Sequence, residues 1–526
     1  MQKKFAVLGA VAAAALTIHA AGAAAPTLAS RIDAVMARPE FRHAIFGVEF
    51  LSLDTGQPIY THNADTFFVP GSTTKLVTMG SALELLGKDY RFHTRMYRTG
   101  DIGADGTLHG DLVLVASGDP NLSGRIRPGD TLAFENMDHS YGGPDSHGLD
   151  GDPLRVVREF AAQVASHGVK RIDGGVIVDA SLYAEGERDG GTGFVVSPIM
   201  INDNAVDVRV TPGSTGAPAT LAISPVTAYA RFVNQTVTGT PGSESTLDIG
   251  SDVAAGDGTR TVTVVGNVPA DAKPAMWAYR VPTPSRYAEI ALAEALHERG
   301  IVAAARLNED KPDLTKAAAA YTPANLVAEH VSPPYGEEVK ITLKVSQNLH
   351  ATATPYLLGA VLAHKGTPEA GFGEMRKFLE TTGADVTGAS QSDGAGADAH
   401  FTPAFMTAYL AFMARQKDGP FFHDALPVLG RDGTLFNIQT GSPAAGHVFA
   451  KTGTYEVEDL LHHQMMVTGK GMAGYMTTAD GRHLAFAAYI NNLEVKDADA
   501  VTKVAGQALG EIAAAAYDAK PPAARR

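Results

Sequence analysis

The chain has 526 residues, 45% hydrophobic and 19% charged, with a formal charge of −14. That is the balance of a soluble globular protein with apolar material for two or three domains, and its acidic surface argues against nucleic acid as a partner. It has no cysteine, which excludes disulfides and any lipid attached through a thiol.

Lys3 and Lys4, an apolar stretch from Phe5 to Ile18 and small residues ahead of Pro26 have the layout of a secretory signal cut between Ala23 and Ala25. The competing reading, a permanent anchor helix, is disfavoured because the run is short for a membrane span. Residues 1–25 are therefore read as a signal peptide, and the expectation is a soluble periplasmic protein without a stable membrane anchor. From Ile45 to Leu53 apolar and polar residues roughly alternate before the turn Asp54-Thr55-Gly56-Gln57, which predicts a hairpin.

Next comes Pro70-Gly71-Ser72-Thr73-Thr74-Lys75, then Leu76, Val77, Met79, Leu83 and Leu86 at helical spacing, ended by Gly87. Ser72 is the candidate nucleophile. A serine hydroxyl needs a base within reach, and a lysine three residues on shares its helix face. The helix N-terminus also favours negative charge developing there. Taken alone, the stretch reads more readily as a helix cap with a solvated lysine.

Residues 93–281 carry short β-type runs (Gly110–Ala116, Val176–Asp179, Val206–Val210, Ser245–Ile249, Val262–Val265) and little helical periodicity, which predicts a mostly β insertion. Its stretch from His139 to Asp152 holds His139, Asp145, His147, Asp150 and Asp152; no spacing fixes a ligand geometry, so it reads as a solvated polar loop and not a metal site. Helices are predicted over Ser285–Gly300, Leu349–His364 and Pro403–Arg415, and strands over Val448–Thr454 and Leu484–Ile490. Residues 500–517 read as a closing helix and Lys520–Arg526 as a frayed tail. Asp393-Gly394-Ala395-Gly396 is too short to cradle a phosphate and reads as a turn. No cofactor is predicted.

Two more short patterns change the weight of Ser72: Ser346-Gln347-Asn348 at the head of a helix, and Lys451-Thr452-Gly453-Thr454 on a strand. Ser-x-x-Lys, Ser-x-Asn and Lys-Thr-Gly in that order resemble the signature of penicillin-binding proteins and class A β-lactamases. The long gap between Ser72 and Ser346 narrows the likeness. So do Ser117-Gly118-Asp119-Pro120-Asn121-Leu122, Asn202-Asp203-Asn204, Asp393-Gly394, Leu426-Pro427-Val428 and Arg431-Asp432-Gly433-Thr434-Leu435. These resemble segments of the D-alanyl-D-alanine carboxypeptidase/endopeptidase family, the class C low-molecular-mass penicillin-binding proteins.

The resemblance implies an α/β (α+β) fold of the penicillin-binding-protein and β-lactamase type: an antiparallel sheet flanked by helices, a helical subdomain and a mostly β insertion. It divides the chain into a peptidase domain of residues 26–92 and 282–517, an inserted unit of residues 93–281 and a tail of residues 518–526. It implies cleavage of peptidoglycan peptides through an acyl-enzyme on Ser72, with β-lactams as covalent inhibitors and neither metal nor cofactor. Lys75, held neutral by burial and by positive neighbours such as Lys451, would take the Ser72 proton, and Ser346 would relay it to the leaving amine. Asn348 would hold Lys75 and substrate, and Lys451 with Thr452 would bind the terminal carboxylate. The backbone N–H groups of Ser72 and Thr454 would form the oxyanion hole, with Gly453 leaving room for substrate. The chain departs from the family at Gln347, expected to tune and not abolish activity, and at an apparent insertion, Val457 to Lys470, read as a peripheral loop in which adjacent His462 and His463 do not make a metal site. An esterase or β-lactamase on the same scaffold and a non-catalytic β-lactam- or wall-binding protein are the competing functions.

Overall fold

The computed structural model describes residues 27–303 and 313–519, so the expected signal segment and the tail from Lys520 lie outside it. Thr27 caps the first helix, α1 (Leu28–Met36), its hydroxyl accepting from the Ser30 N–H. Strands β1 (Ile45–Ser52) and β2 (Pro58–His62) follow as the predicted hairpin, then helix α2 (Thr74–Leu86). After the insertion come α3 (Tyr335–Val345), α4 (Asn348–Leu362) and α5 (Pro403–Met413). Strands β3 (Val448–Asp459), β4 (Gln464–Thr477), β5 (His483–Asn491) and β6 (Leu493–Val495) and helix α6 (Gln507–Tyr517) close the chain.

One antiparallel sheet, ordered β3-β4-β5-β1-β2 with β6 added to β4, carries the site. Because successive side chains point to opposite faces, it separates two cores. Leu484, Phe486, Ala488 and Ile490 of β5 pack with Ile32 of α1 and Leu509 and Ile512 of α6. Ala485, Ala487 and Tyr489 pack with Leu76, Val77 and Met79 of α2 and Met406, Tyr409 and Leu410 of α5. Helix α2 is buried from Thr74 to Leu83, so the helix that begins beside Ser72 runs through the centre of the molecule. Strand β3 is the sheet's edge and lies against the turn Gly71–Thr73.

The insertion builds a four-stranded sheet (Leu326–Val331, His93–Arg98, Leu112–Val115, Val176–Asp179) and two three-stranded ones. Three expectations change here. A helix unseen in the sequence, Arg155–Ser166, buries Val156, Val157, Phe160, Ala161 and Val164 while its other face is charged. The expected strand Ser245–Ile249 begins later, as Asp248–Ala254. Helix Pro284–Glu298 and strand Leu326–Val331 pack into the insertion's core through Tyr287, Ala288, Leu292, Val327 and Ala328, so this core extends well past the expected boundary at residue 281.

The segment from Val457 to Lys470 is also not a loop. Strands β3 and β4 run on as a ladder that pairs Val457 with Met466 and Asp459 with Gln464, and β6 pairs with β4 there. Alternation of Tyr455 and Val457 with Glu456 and Glu458 supplies the β pattern. Among the described residues no helix is long and apolar enough to cross a membrane.

Candidate active site

Ser72 sits in the 3-10 turn Gly71–Thr73 that leads into α2, and its side chain caps no helical N–H. One turn on, the Lys75 amine is completely buried. Its Nζ lies 2.7 Å from Ser72 Oγ, 2.6 Å from Asn348 Oδ1, 3.3 Å from the Ala395 carbonyl and 3.4 Å from Ser346 Oγ. A neutral amine has two N–H groups and one lone pair. Asn348 and Ala395 can take the two hydrogens, which leaves the lone pair for the Ser72 hydroxyl. Burial is the main cause that lowers the Lys75 pKa to about 7, while the charges of Asp393 and Asp189 pull it back up. Desolvation thus does the work that was expected in part from positive neighbours.

The second motif stands at the junction of α3 and α4. Ser346, just past the end of α3, is left-handed at φ 63°, a conformation that a side chain disfavours and that the surroundings must hold. Its Oγ accepts from Lys451 Nζ at 2.8 Å, and its carbonyl accepts from the Tyr141 hydroxyl at 2.5 Å. The Gln347 side chain caps α4 by accepting the Leu349 N–H at 2.9 Å, and its amide reaches Asp138 at 3.2 Å and Ser140 at 3.3 Å.

Behind Gln347 lies a buried ionic cluster. The Arg125 guanidinium donates to Asp138 at 2.6 Å and Asp203 at 2.5 Å. His139 lies 2.8 Å from Asp203 and 2.7 Å from Asp207, and His350 lies 3.1 Å from both Asp203 and Glu338. Burial lowers the His350 pKa, but Glu338 and Asp203 outweigh it and raise the value to about 10. Asp203 is pushed up by burial yet held well below the usual carboxylate range by Arg125 and His350. The expected solvated loop is thus corrected at His139, which is buried because Asp203 and Asp207, distant in sequence, close over it; Asp145, His147, Asp150 and Asp152 are exposed. Asp138, His139 and Asp203 bring potential ligand atoms within 4.8 Å of one another, but the Arg125 guanidinium already occupies an oxygen of each carboxylate.

The third motif lies on β3. Lys451 is fully buried, and burial first, then the charges of Lys75 and Lys470, holds its pKa well below the usual lysine range. Thr452 Oγ1 lies 2.7 Å from Thr434 Oγ1, within the Arg431–Leu435 segment. A Cβ on Gly453 would stand 2.0 Å from the Pro70 carbonyl oxygen and 3.0 Å from Ser72 N; one on Gly71 would stand 2.5 Å from Thr454 N. Glycine at 453 therefore makes room for the turn that carries Ser72. The close approach brings the Ser72 and Thr454 backbones together.

The structure thus brings Ser72, Lys75, Ser346, Asn348 and Lys451 into one hydrogen-bonded group, with Thr452, Gly453 and Thr454 following on the strand that lies against the Ser72 turn. Sequence reasoning missed Tyr141, Lys470 and the Ala395 carbonyl. The last is aimed by Asp393, whose carboxylate accepts the Ala395 N–H at 2.6 Å and the Gly396 N–H at 3.0 Å; the signals for it are the clustered glycines and the family-like Asp393-Gly394.

The profile of the D-Ala-D-Ala carboxypeptidase 3 (S13) family matches residues 28–512. A D-alanyl-D-alanine carboxypeptidase of Actinomadura sp. (strain R39) is 29% identical over 512 residues, covering 92% of this chain and 85% of the relative. The D-alanyl-D-alanine carboxypeptidase DacB of Haemophilus influenzae is 23% identical over 481 residues, covering 86% of each. Among solved structures, penicillin binding protein 4 (dacB) from Haemophilus influenzae superposes with a TM-score of 0.70 at 20% identity, covering 92% of this chain and 98% of that one. The same protein complexed with a β-lactam gives a TM-score of 0.67. These matches establish a shared fold.

Proposed function

The chain belongs to the D-Ala-D-Ala carboxypeptidase 3 (S13) family and is a serine-type D-alanyl-D-alanine carboxypeptidase, and from that premise we propose that it cleaves peptidoglycan peptides through an acyl-enzyme on Ser72. The observation that carries the assignment of the nucleophile is the 2.7 Å approach of the buried, pKa-lowered Lys75 amine to Ser72 Oγ.

Lys75 takes the Ser72 proton as Oγ attacks the carbonyl of the terminal D-Ala-D-Ala bond. The N–H groups of Ser72 and Thr454 stabilise the oxyanion; loss of one such donor costs about 2.7 to 4 kcal/mol in comparable enzymes. The proton passes from Lys75 to Ser346 Oγ, 3.4 Å away, and on to the leaving amine as the C–N bond breaks. Water then releases the shortened peptide. Asn348 keeps Lys75 aimed, and Lys451 with Thr452 receives the terminal carboxylate. A β-lactam enters the same path, but its leaving amine stays tethered through the opened ring.

We further infer that the enzyme is exported to the periplasm after cleavage near Ala23–Ala25. Its catalytic unit would be formed by the chain up to about residue 92 and the chain that follows strand Leu326–Val331. The test is the intact mass after incubation with benzylpenicillin. The mature enzyme gains one whole drug mass and Ser72→Ala gains none. An unmodified folded wild type, or an adduct that persists in Ser72→Ala, removes Ser72 as the nucleophile.

A further inference from the structure

Lys470 is a buried amine that the mechanism above leaves unused. It sits on β4 opposite Thr454 of β3, and its Nζ lies 2.6 Å from Thr454 Oγ1. Among the described residues no carboxylate forms an ion pair with it. Strand periodicity places its side chain on the same face as Met472 and Met476, which join the core against α6. Its Cε lies 3.8 Å from where a Cβ on Gly506 would be. A methionine would suit such surroundings without the cost of desolvating an ammonium, so the charge calls for a functional account.

Three features of the site supply one. First, registered pairing puts Thr452 and Thr454 of the edge strand β3 and Lys470 of its neighbour β4 on one face, with Thr434 Oγ1 beside Thr452, so hydroxyls and one amine stand together there. Second, an ammonium can only donate. When Lys470 donates into Thr454 Oγ1, the single Thr454 hydroxyl hydrogen is free to point outward as a donor to an anion. Third, among the three buried amines of the site, burial brings Lys470 only to about 8, whereas Lys75 falls to about 7 and Lys451 is held well below its usual range. Lys470, whose lowering by burial is opposed by the charge of Glu456, is thus the least shifted of the three.

Resting on the carboxypeptidase reading above, the geometry points to Lys470 as a positioning residue for the ligand's terminal carboxylate: it turns the Thr454 hydroxyl into a donor and sets a fixed positive charge one hydrogen bond behind it. Lys470 thereby supports the carboxylate site that Lys451 and Thr452 form, apart from the Lys75 and Ser346 pair that moves the proton.

The test compares two acyl-D-Ala-D-Ala peptides that differ only in a free carboxylate or a carboxamide at the C-terminus. In Lys470→Met the preference for the carboxylate, as a ratio of kcat/KM values, falls at least about tenfold, chiefly through KM of the carboxylate peptide. Lys470→Arg restores the ratio to within about threefold, because it returns the charge and the donor. If Lys470→Met does not fold, Lys470→Gln and Thr454→Val carry the same comparison with the same expected loss. An unchanged ratio in any folded variant of the set, or a failure of arginine to restore it, overturns the proposal. Failure of the Ser72 assignment shows itself separately, as turnover that survives Ser72→Ala.

Discussion

Lys75 is surrounded by an amide oxygen, a carbonyl and two hydroxyls, with the carboxylates that raise its pKa lying beyond hydrogen-bond reach. Such a shell accepts from a neutral amine but does not compensate an ammonium, so Lys75, the proposed base, is poised near neutral pH. Protonated Lys75 cannot take the Ser72 proton. The second-order rate of acylation by benzylpenicillin is therefore expected to rise with pH about tenfold per unit below about 7 and to level off above it. A profile that is flat from pH 5 to 8 would rule out Lys75 as the base. The five polar residues Ser72, Lys75, Ser346, Asn348 and Lys451 were legible in the sequence because three short local motifs hold them. Tyr141 and Lys470 were not. Their partners are Ser346, 205 residues away, and Thr454, 16 residues away across a hairpin, and neither distance leaves a local pattern.

At the scale of elements, the cleft depends on how tightly β3 lies against the turn that carries Ser72. Gly71 at φ +52° and Gly453 meet backbone to backbone there, and neither contact can yield as a flexible side chain would. Gly453→Ala places a methyl 2.0 Å from the Pro70 carbonyl oxygen, so the strand and the turn must part. A displacement of about 1 Å costs on the order of 100-fold in rate, and the penicillin acylation rate of folded Gly453→Ala should fall at least that far. A variant within tenfold of wild type would show that β3 does not position Ser72. The elements themselves are legible where apolar residues are dense, as in α2, α5 and β5. Helix Arg155–Ser166 was missed because its apolar stripe of five residues is set among charged ones in a stretch rich in strands. The β3–β4 extension reads as a loop in the sequence because it carries charges and two histidines, although its alternation is that of a strand; at its tip Leu460 and Leu461 are 72% and 81% exposed.

For the whole molecule, the question is how an inserted unit with its own core stays in register with the catalytic cleft. The buried cluster answers it. Arg125, Asp138, His139, Asp203 and Asp207 come from the insertion, while Glu338 on α3 and Gln347 and His350 at the head of α4 come from the catalytic side. Asp203 is the hub, in a turn where Asn202, Asp203 and Asn204 are all left-handed, at φ 50°, 56° and 53°. Removing one partner from a buried ion network leaves the others uncompensated, which costs about 3–5 kcal/mol. His350→Gln should lose that much at pH 6.5 in chemical denaturation and should also slow acylation, since α4 begins at Asn348. The sign of the pH dependence follows from the shift. His350 titrates near 10 when folded against 6.5 in its ordinary state, so its ionic contribution is complete below about 6.5 and is lost as pH rises toward 10. The stability gap between wild type and His350→Gln should therefore narrow between pH 6.5 and 9, by up to roughly 1.4 kcal/mol per unit. A gap that stays constant over that range would mean that His350 is a neutral packing residue, and the cluster would then join the two units by shape and hydrogen bonding without its charge.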